Sequence, residues 1–237
     1  MNPPGMTGVR HAVYYAPPED HALWRAGCEW LGRDPGQGHA VTLPASAHVA
    51  APWRYGFHAT LKAPMTLAEG ASEADFVAAL RRLAAQHAPF AMPALHVATL
   101  GEFVALRPRE PLAADHPLRR LADACVVELD RWRNVGNIAE RVRHRLAAHA
   151  PGQRLNAERY VALYGYAHVL DDWRFHMTLS DPLPDDEARD AVLRAARRHF
   201  APALALPLVC NALCLFVEPQ PGTPFELRHR VPLGAHA

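Results

Sequence analysis

Phe57-His58-Ala59-Thr60-Leu61 returns later in the chain as Phe175-His176-Met177-Thr178-Leu179. From this composition one such Phe-His-x-Thr-Leu has odds of roughly two in a thousand, so a second copy points to a repeated unit. Both segments have the look of short strands, in which successive side chains alternate faces. His58 and Thr60 then share one face, and Phe57, Ala59 and Leu61 the other. His176 and Thr178 stand in the same way against Phe175, Met177 and Leu179. Each copy thus offers an apolar face to a core and a second face carrying one imidazole and one hydroxyl. Continued alternation puts Lys62 on the polar face of the first segment, and Arg174 and Ser180 on that of the second.

Outward from these segments, the order of elements also repeats. Each copy is followed by proline, a helix, an apolar strand and a second strand. After the first copy, Ser72 to His87 reads as a helix, with Ser72 and Asp75 in capping-box positions and Phe76, Leu80, Leu83 and His87 on one face. Leu95–Ala98 and Phe103–Leu106 flank Gly101 as a hairpin. After the second copy, Asp185 to Phe200 is helical, and Leu206–Val217 with Phe225–Val231 form a strand pair. Elsewhere His11–Tyr15 reads as a strand, Glu19–Leu31 as a helix stopped by Gly32, and Pro117 opens another helix. Asn137–His149 is expected to be a solvated amphipathic helix, and Tyr160–Tyr166 and Arg174–Leu179 strands. The expectation is one α+β domain over residues 1–237, with pseudo-repeats near 50–115 and 160–232. Two antiparallel lobes with outer helices would face each other across a central cleft.

Two imidazoles, two hydroxyls and nearby cations on facing strands suit a phosphate ester. Cleavage of a phosphodiester needs a base, an acid and hydrogen-bond donors for the non-bridging oxygens. Histidine serves either proton-transfer role, its unperturbed pKa being about 6.5. One ring would start neutral and the other protonated, which predicts a bell-shaped pH–rate profile. A lone strand histidine is more often structural, and most of the 15 histidines are expected on surfaces, among them His21, His39, His116, His144, His149, His229 and His236. Duplication with the same polar-face threonine singles out His58 and His176 as catalytic, and Thr60 and Thr178 as phosphate anchors. Lys62 and Arg174 are weaker candidates for substrate binding. No metal or cofactor is expected, because His-x-Thr is a poor chelate and no carboxylate stands beside either motif at ligand spacing.

Composition bounds the rest. Half of the residues are hydrophobic, 21% are charged and the net charge is +1, which suits a soluble protein rather than a nucleic-acid or membrane binder. No apolar run approaches the roughly 20 residues of a membrane span, and the first residues do not read as a secretory signal. Cys28, Cys125, Cys210 and Cys214 form no CxxC pair and read as reduced thiols in a cytoplasm, Cys210 and Cys214 as small buried hydrophobes. The expected partner is a small phosphorylated substrate. Oligomeric state is not encoded in any of these features.

Two His-x-Thr-hydrophobic segments in one chain resemble the signature of the 2H phosphoesterase superfamily. Arg54 to Pro64, Arg10 to Pro18 and Trp173 to Leu179 are similar to a bacterial branch linked to phosphonate metabolism. The resemblance implies the bilobal α+β, RNA-ligase-like fold with pseudo-twofold symmetry and metal-free acid/base chemistry at His58, Thr60, His176 and Thr178, with Tyr55 lining the cleft. It also implies a cyclic phosphodiesterase that opens a ribose cyclic phosphate. Two alternatives stand beside it. One is an RNA 2′,3′-cyclic phosphodiesterase or 2′,5′ ligase-like enzyme, for which the patch at Arg141, Arg143 and Arg145 is diluted by Glu128, Asp130 and Glu140. The other is a non-catalytic binder of a phosphorylated ligand, which would need neither histidine.

Overall fold

The computed structural model describes residues 8–37, 45–136 and 154–234. Strand β1 (Arg10–Tyr15) is buried along its whole length and lies beside β8 (Ala212–Glu218), which is buried throughout as well. Strands covered on both faces read as continuous apolar runs, and these two form the middle of a four-stranded antiparallel sheet. Its edges are β2 (Ala59–Met65) and β9 (Glu226–Pro232), giving the order β2-β1-β8-β9. A second sheet has the order β4-β5-β6, from Leu95–Leu100, Phe103–Pro108 and Met177–Thr178. A two-stranded pair joins β3 (Phe90–Ala91) to β7 (Val209–Cys210).

Each of the two larger sheets draws strands from both parts of the chain. The strand after His58 pairs in the sheet completed by the last hairpin, β8–β9, while the strand after His176 pairs with the middle hairpin, β4–β5. All the strand pairings are antiparallel, and the fold is α+β.

Six α-helices occur among the described residues. Helix α1 (Ala22–Leu31) ends on Gly32 at φ 80°, the left-handed conformation glycine adopts without a Cβ clash. Helix α2 (Ala50–Tyr55) runs into the first motif. Helix α3 (Glu73–Ala85) carries the complete Ser72/Asp75 capping box and packs on β8 and β9. Helix α4 (Pro117–Glu128) starts with proline at its first turn and buries Leu118, Leu121 and Cys125 against β2. Helix α6 (Asp186–Leu204) is capped by Asp185 and packs on β4, β5 and α1.

Helix α5 (Arg154–Tyr164) corrects the strand expected over Tyr160–Tyr166. Ala157, Tyr160 and Val161 are its buried residues, spaced three and four apart, and Gly165 at φ 73° stops it. A short apolar run does not declare its period, and the helical spacing begins before Tyr160. The strand expected over Arg174–Leu179 shrinks to two paired residues. The helix expected at Asn137–His149, with His144, His149, Arg141, Arg143 and Arg145, lies outside the described residues, as do His39 and His236.

Candidate functional site

Alternation holds in both motifs. Phe57, Ala59 and Leu61 are buried, as are Phe175, Met177 and Leu179, while His58, Thr60, His176 and Thr178 are half-buried. The apolar faces anchor each segment. Phe57 stacks on Phe200 with centroids 5.8 Å apart, and Phe175 meets Tyr15 at 5.9 Å. Strands β2 and β6 lie close enough for direct cross-links: Trp173 Nε1–H donates to the Thr60 carbonyl at 2.9 Å. The structure thereby brings the two motifs together although they belong to different sheets.

Each imidazole is tethered in the same way. His58 Nδ1 lies 2.8 Å from the Gly56 carbonyl, and His176 Nδ1 lies 2.8 Å from the Arg174 carbonyl. A carbonyl only accepts, so Nδ1 carries the proton in both rings and Nε2 is left as the lone-pair nitrogen. Thr60 Oγ1 is 3.3 Å from His58 Nε2, within reach of donating to it. The Tyr14 ring stacks on His58 at 3.7 Å between centroids.

Burial pushes the His58 pKa down to about 4, the Gly56 carbonyl partly opposing this and His176 adding to it. His176 is lowered too, by burial first, with Arg107 adding to it against the Arg174 carbonyl. Both rings are therefore neutral bases at pH 7 in the free protein. A bound anion would supply the missing bias toward the imidazolium.

Thr60, Phe103, Trp173, Arg174 and His176 line a cavity of about 760 Å³. Its remaining polar walls are Asn156, Tyr166, His168 and Asp172, a set that sequence reasoning missed. The one signal was the Gly165-Tyr166-Ala167-His168 turn just before the second motif. Of the weaker candidates, Arg174 is exposed and faces the cavity. Tyr55 is half-buried, stacks on Phe225 at 5.1 Å and lies 6.2 Å from the His58 ring.

Lys62 goes elsewhere. Between Tyr14 and Val13 strand β1 advances one residue, while β2 advances two, from Thr60 to Lys62. This bulge breaks the alternation and re-aims the side chain. Lys62 is buried, its ammonium donating to the Val126 carbonyl at 3.1 Å and to Asp130 at 3.2 Å. Ser180 also turns inward, accepting from the Val104 amide at 3.0 Å.

A family described as "Protein of unknown function (DUF1045)" matches residues 60–226, well over half of the chain. The chain belongs to the DUF1045 family. Two curated relatives carry the name "Ribose 1,5-bisphosphate phosphokinase PhnN". The relative from Laribacter hongkongensis (strain HLHK9) is 40% identical over 228 residues, covering 92% of this chain and 50% of its own length. The one from Janthinobacterium sp. (strain Marseille) is 35% identical over 238 residues, covering 94% and 51%. This DUF1045 chain spans about half the length of the curated relatives it matches. Their name describes a kinase acting on a ribose bisphosphate, which overturns the expected hydrolysis of a cyclic phosphodiester.

Proposed function

We propose that this chain is an enzyme of phosphonate metabolism that takes a phosphorylated ribose into the cavity lined by Thr60, Arg174 and His176, with His58 next to its wall at 3.3 Å from the Thr60 hydroxyl. His58 and His176 move protons there, and the Thr60 and Thr178 hydroxyls, with Arg174, hold phosphate oxygens. The observation that carries this reading is the matched tethering of the two rings. Both are fixed through Nδ1 to the carbonyl two residues back, so both hold a basic Nε2 at neutral pH. The resemblance of the two segments to the 2H phosphoesterase superfamily supports pairing them across one site. The substrate class comes from the relatives' name.

The two rings differ in a way that divides their tasks. His58 is packed beneath Tyr14 with its pKa near 4, so it stays neutral and accepts a proton or hydrogen bond. His176 faces the cavity beside Arg174, where a phosphate dianion would raise its pKa and make it the donor. The transfer named for the relatives also needs a phosphoryl donor. No Gly-x-x-x-x-Gly-Lys-Ser/Thr loop occurs in the 237 residues, and the single lysine, Lys62, is occupied by Asp130. The sugar-phosphate side of that chemistry is the part assigned to this chain.

Calorimetric titration with ribose 5-phosphate and ribose 1,5-bisphosphate tests the binding half. Thr60→Val and Thr178→Val should each weaken affinity on the order of tenfold, as loss of a hydrogen bond to a charged group does. The chemical half is read by ³¹P spectra of the bisphosphate with and without ATP. His58→Ala and His176→Ala should each slow any conversion on the order of 10²-fold. Wild-type protein that binds neither sugar, or variants that bind and turn over as it does, would sink the reading.

A further inference from the structure

Helix α2, which delivers the chain to Gly56 and His58, does not stand on its own residues. It is six residues long, well short of the roughly 12 at which an isolated helix becomes even marginal in water. Its N-cap position is Val49, a buried apolar side chain with no oxygen to offer the first amides. Asp181 supplies what is missing. Its carboxylate oxygens accept from the Ala50 amide at 2.8 Å and the Ala51 amide at 2.9 Å. Its own amide donates to the His48 carbonyl at 2.6 Å. At the other end Arg33 donates to the Trp53 carbonyl at 2.7 Å and to that of Arg54 at 3.2 Å. An anion at the first turn and a cation at the last both suit the helix dipole.

Asp181 belongs to the tail of the second motif. The Leu179 amide donates to the Val104 carbonyl at 2.8 Å, and the Leu179 carbonyl accepts from Trp30 Nε1–H at 2.7 Å. Ser180 Oγ then donates to the Asp181 carbonyl at 2.8 Å. The tail is thus fixed to β5 and α1, and Asp181 carries its position into α2. A second link runs the opposite way, from Trp173 ahead of His176 to the Thr60 carbonyl behind His58. The two links flank both imidazoles. A serine or aspartate at position 49 would cap α2 locally, but would leave it indifferent to where the second motif lies.

We propose that Asp181 is a positioning residue, which holds His58 in register with His176 by tying α2 to the end of the second motif. Asp181 does not line the large cavity and acts through α2 and the Gly56 carbonyl that tethers the His58 ring. The role rests on the reading of the two histidines as one proton-transfer pair. For groups that must act together, a displacement of about 1 Å can cost on the order of 10²-fold in rate.

The test compares Asp181→Ala with Ser72→Ala, which removes the N-cap of α3, a helix that leads into neither motif. Ring ¹⁵N spectra at neutral pH read the tautomer of each histidine. Wild-type protein should show the Nδ1–H form at both His58 and His176. Asp181→Ala, shown folded by thermal melting, should give a mixture of tautomers at His58 while His176 stays as in wild type. Ser72→Ala should leave both rings unchanged, and Asp181→Asn, which keeps one acceptor, should fall between wild type and Asp181→Ala. Conversion of the sugar phosphate by Asp181→Ala should slow at least about tenfold with affinity for ribose 5-phosphate unchanged. A wild-type tautomer at His58 in Asp181→Ala, or an equal mixture in Ser72→Ala, would overturn the role. Should Asp181→Ala not fold, Asp181→Asn decides by the same spectra, a mixture sustaining the role and a wild-type pattern overturning it. The spectra need no ligand, so failure of any sugar phosphate to bind would sink the ribose reading and still leave Asp181 judged by the His58 ring.

Discussion

The ring of Tyr14 lies flat on that of His58, with centroids 3.7 Å apart and planes 23° from parallel. Tyr14 is itself buried, and its other aromatic neighbours are Phe216 at 5.0 Å and Phe225 at 6.3 Å. The stack fixes the imidazole plane and keeps water from one of its faces. Tyr14→Leu should cost about 1–3 kcal/mol in urea unfolding, from lost ring packing and altered shape. It should also let the His58 pKa climb from about 4 toward its ordinary value, read by NMR titration. Tyr14→Phe keeps the stack and should keep the low pKa. A His58 titration unmoved in Tyr14→Leu would show that something else holds it down.

The depressed histidine makes stability depend on pH in a stated direction. Unfolded His58 takes up a proton near pH 6.5, while the folded form does so only near 4. Stability is therefore full above about pH 6.5 and falls as pH drops toward 4, by up to about 3 kcal/mol at roughly 1.4 kcal/mol per unit. Urea unfolding at several values between pH 4 and 7.5 should give a flatter dependence for His58→Gln than for wild type. Parallel curves would contradict the assignment. His11 and His87 are also lowered by burial and contribute equally to both curves.

Two glycines set the first motif in place. Gly56 sits at φ 79° and turns its carbonyl to His58 Nδ1, and a Cβ there would stand 2.9 Å from Pro35 Cγ. A Cβ on Gly27 would stand 2.1 Å from the buried Phe57 ring. Gly56→Ala should cost about 1–3 kcal/mol through backbone strain. Gly27→Ala should cost at least about as much through overpacking, because the ring is held from behind by Phe200. Melting temperatures check both, and an unchanged value for either would remove that glycine from the account.

Glu218 is fully buried and bridges Arg10 and Arg54, and it also accepts from the Gly222 amide at 3.0 Å. Burial pushes its carboxyl up, but the two guanidinium groups and the amide outweigh this and hold it below the ordinary range. Glu218→Gln leaves two cations facing a neutral amide. A loss of about 3–5 kcal/mol is expected in equilibrium unfolding, as for a broken buried pair. A loss below about 1 kcal/mol would mean that water already reaches the cluster.

The helices that begin near Ser72, Pro117 and Asp185 and the hairpin around Gly101 were legible in the sequence because their periods, caps and turn glycines are local properties. Alternation within Phe57–Leu61 and Phe175–Leu179 likewise survived in the structure. Lys62 escaped the same rule because a bulge depends on the partner strand, whose spacing is written at Val13 and Tyr14. The Tyr14 stack and the Lys62–Asp130 pair join residues far apart in the chain, and no local pattern announces them. The tether of each imidazole to the carbonyl two residues back was also hidden, since it depends on the φ and ψ of the residues that precede each histidine. The relatives' name, in turn, displaced a reaction that the His-x-Thr resemblance had suggested.

The exchange of hairpins between the two halves of the chain ties their fates. The strand that follows His58 is completed by residues near the far end of the chain, and the strand that follows His176 closes onto a hairpin made long before it. Each of the two main sheets therefore needs strands from both parts of the chain. The first imidazole keeps its place against Tyr14 and Phe216 only while β8 stays paired with β1, so loosening β8 disturbs a ring more than 150 residues away in the chain.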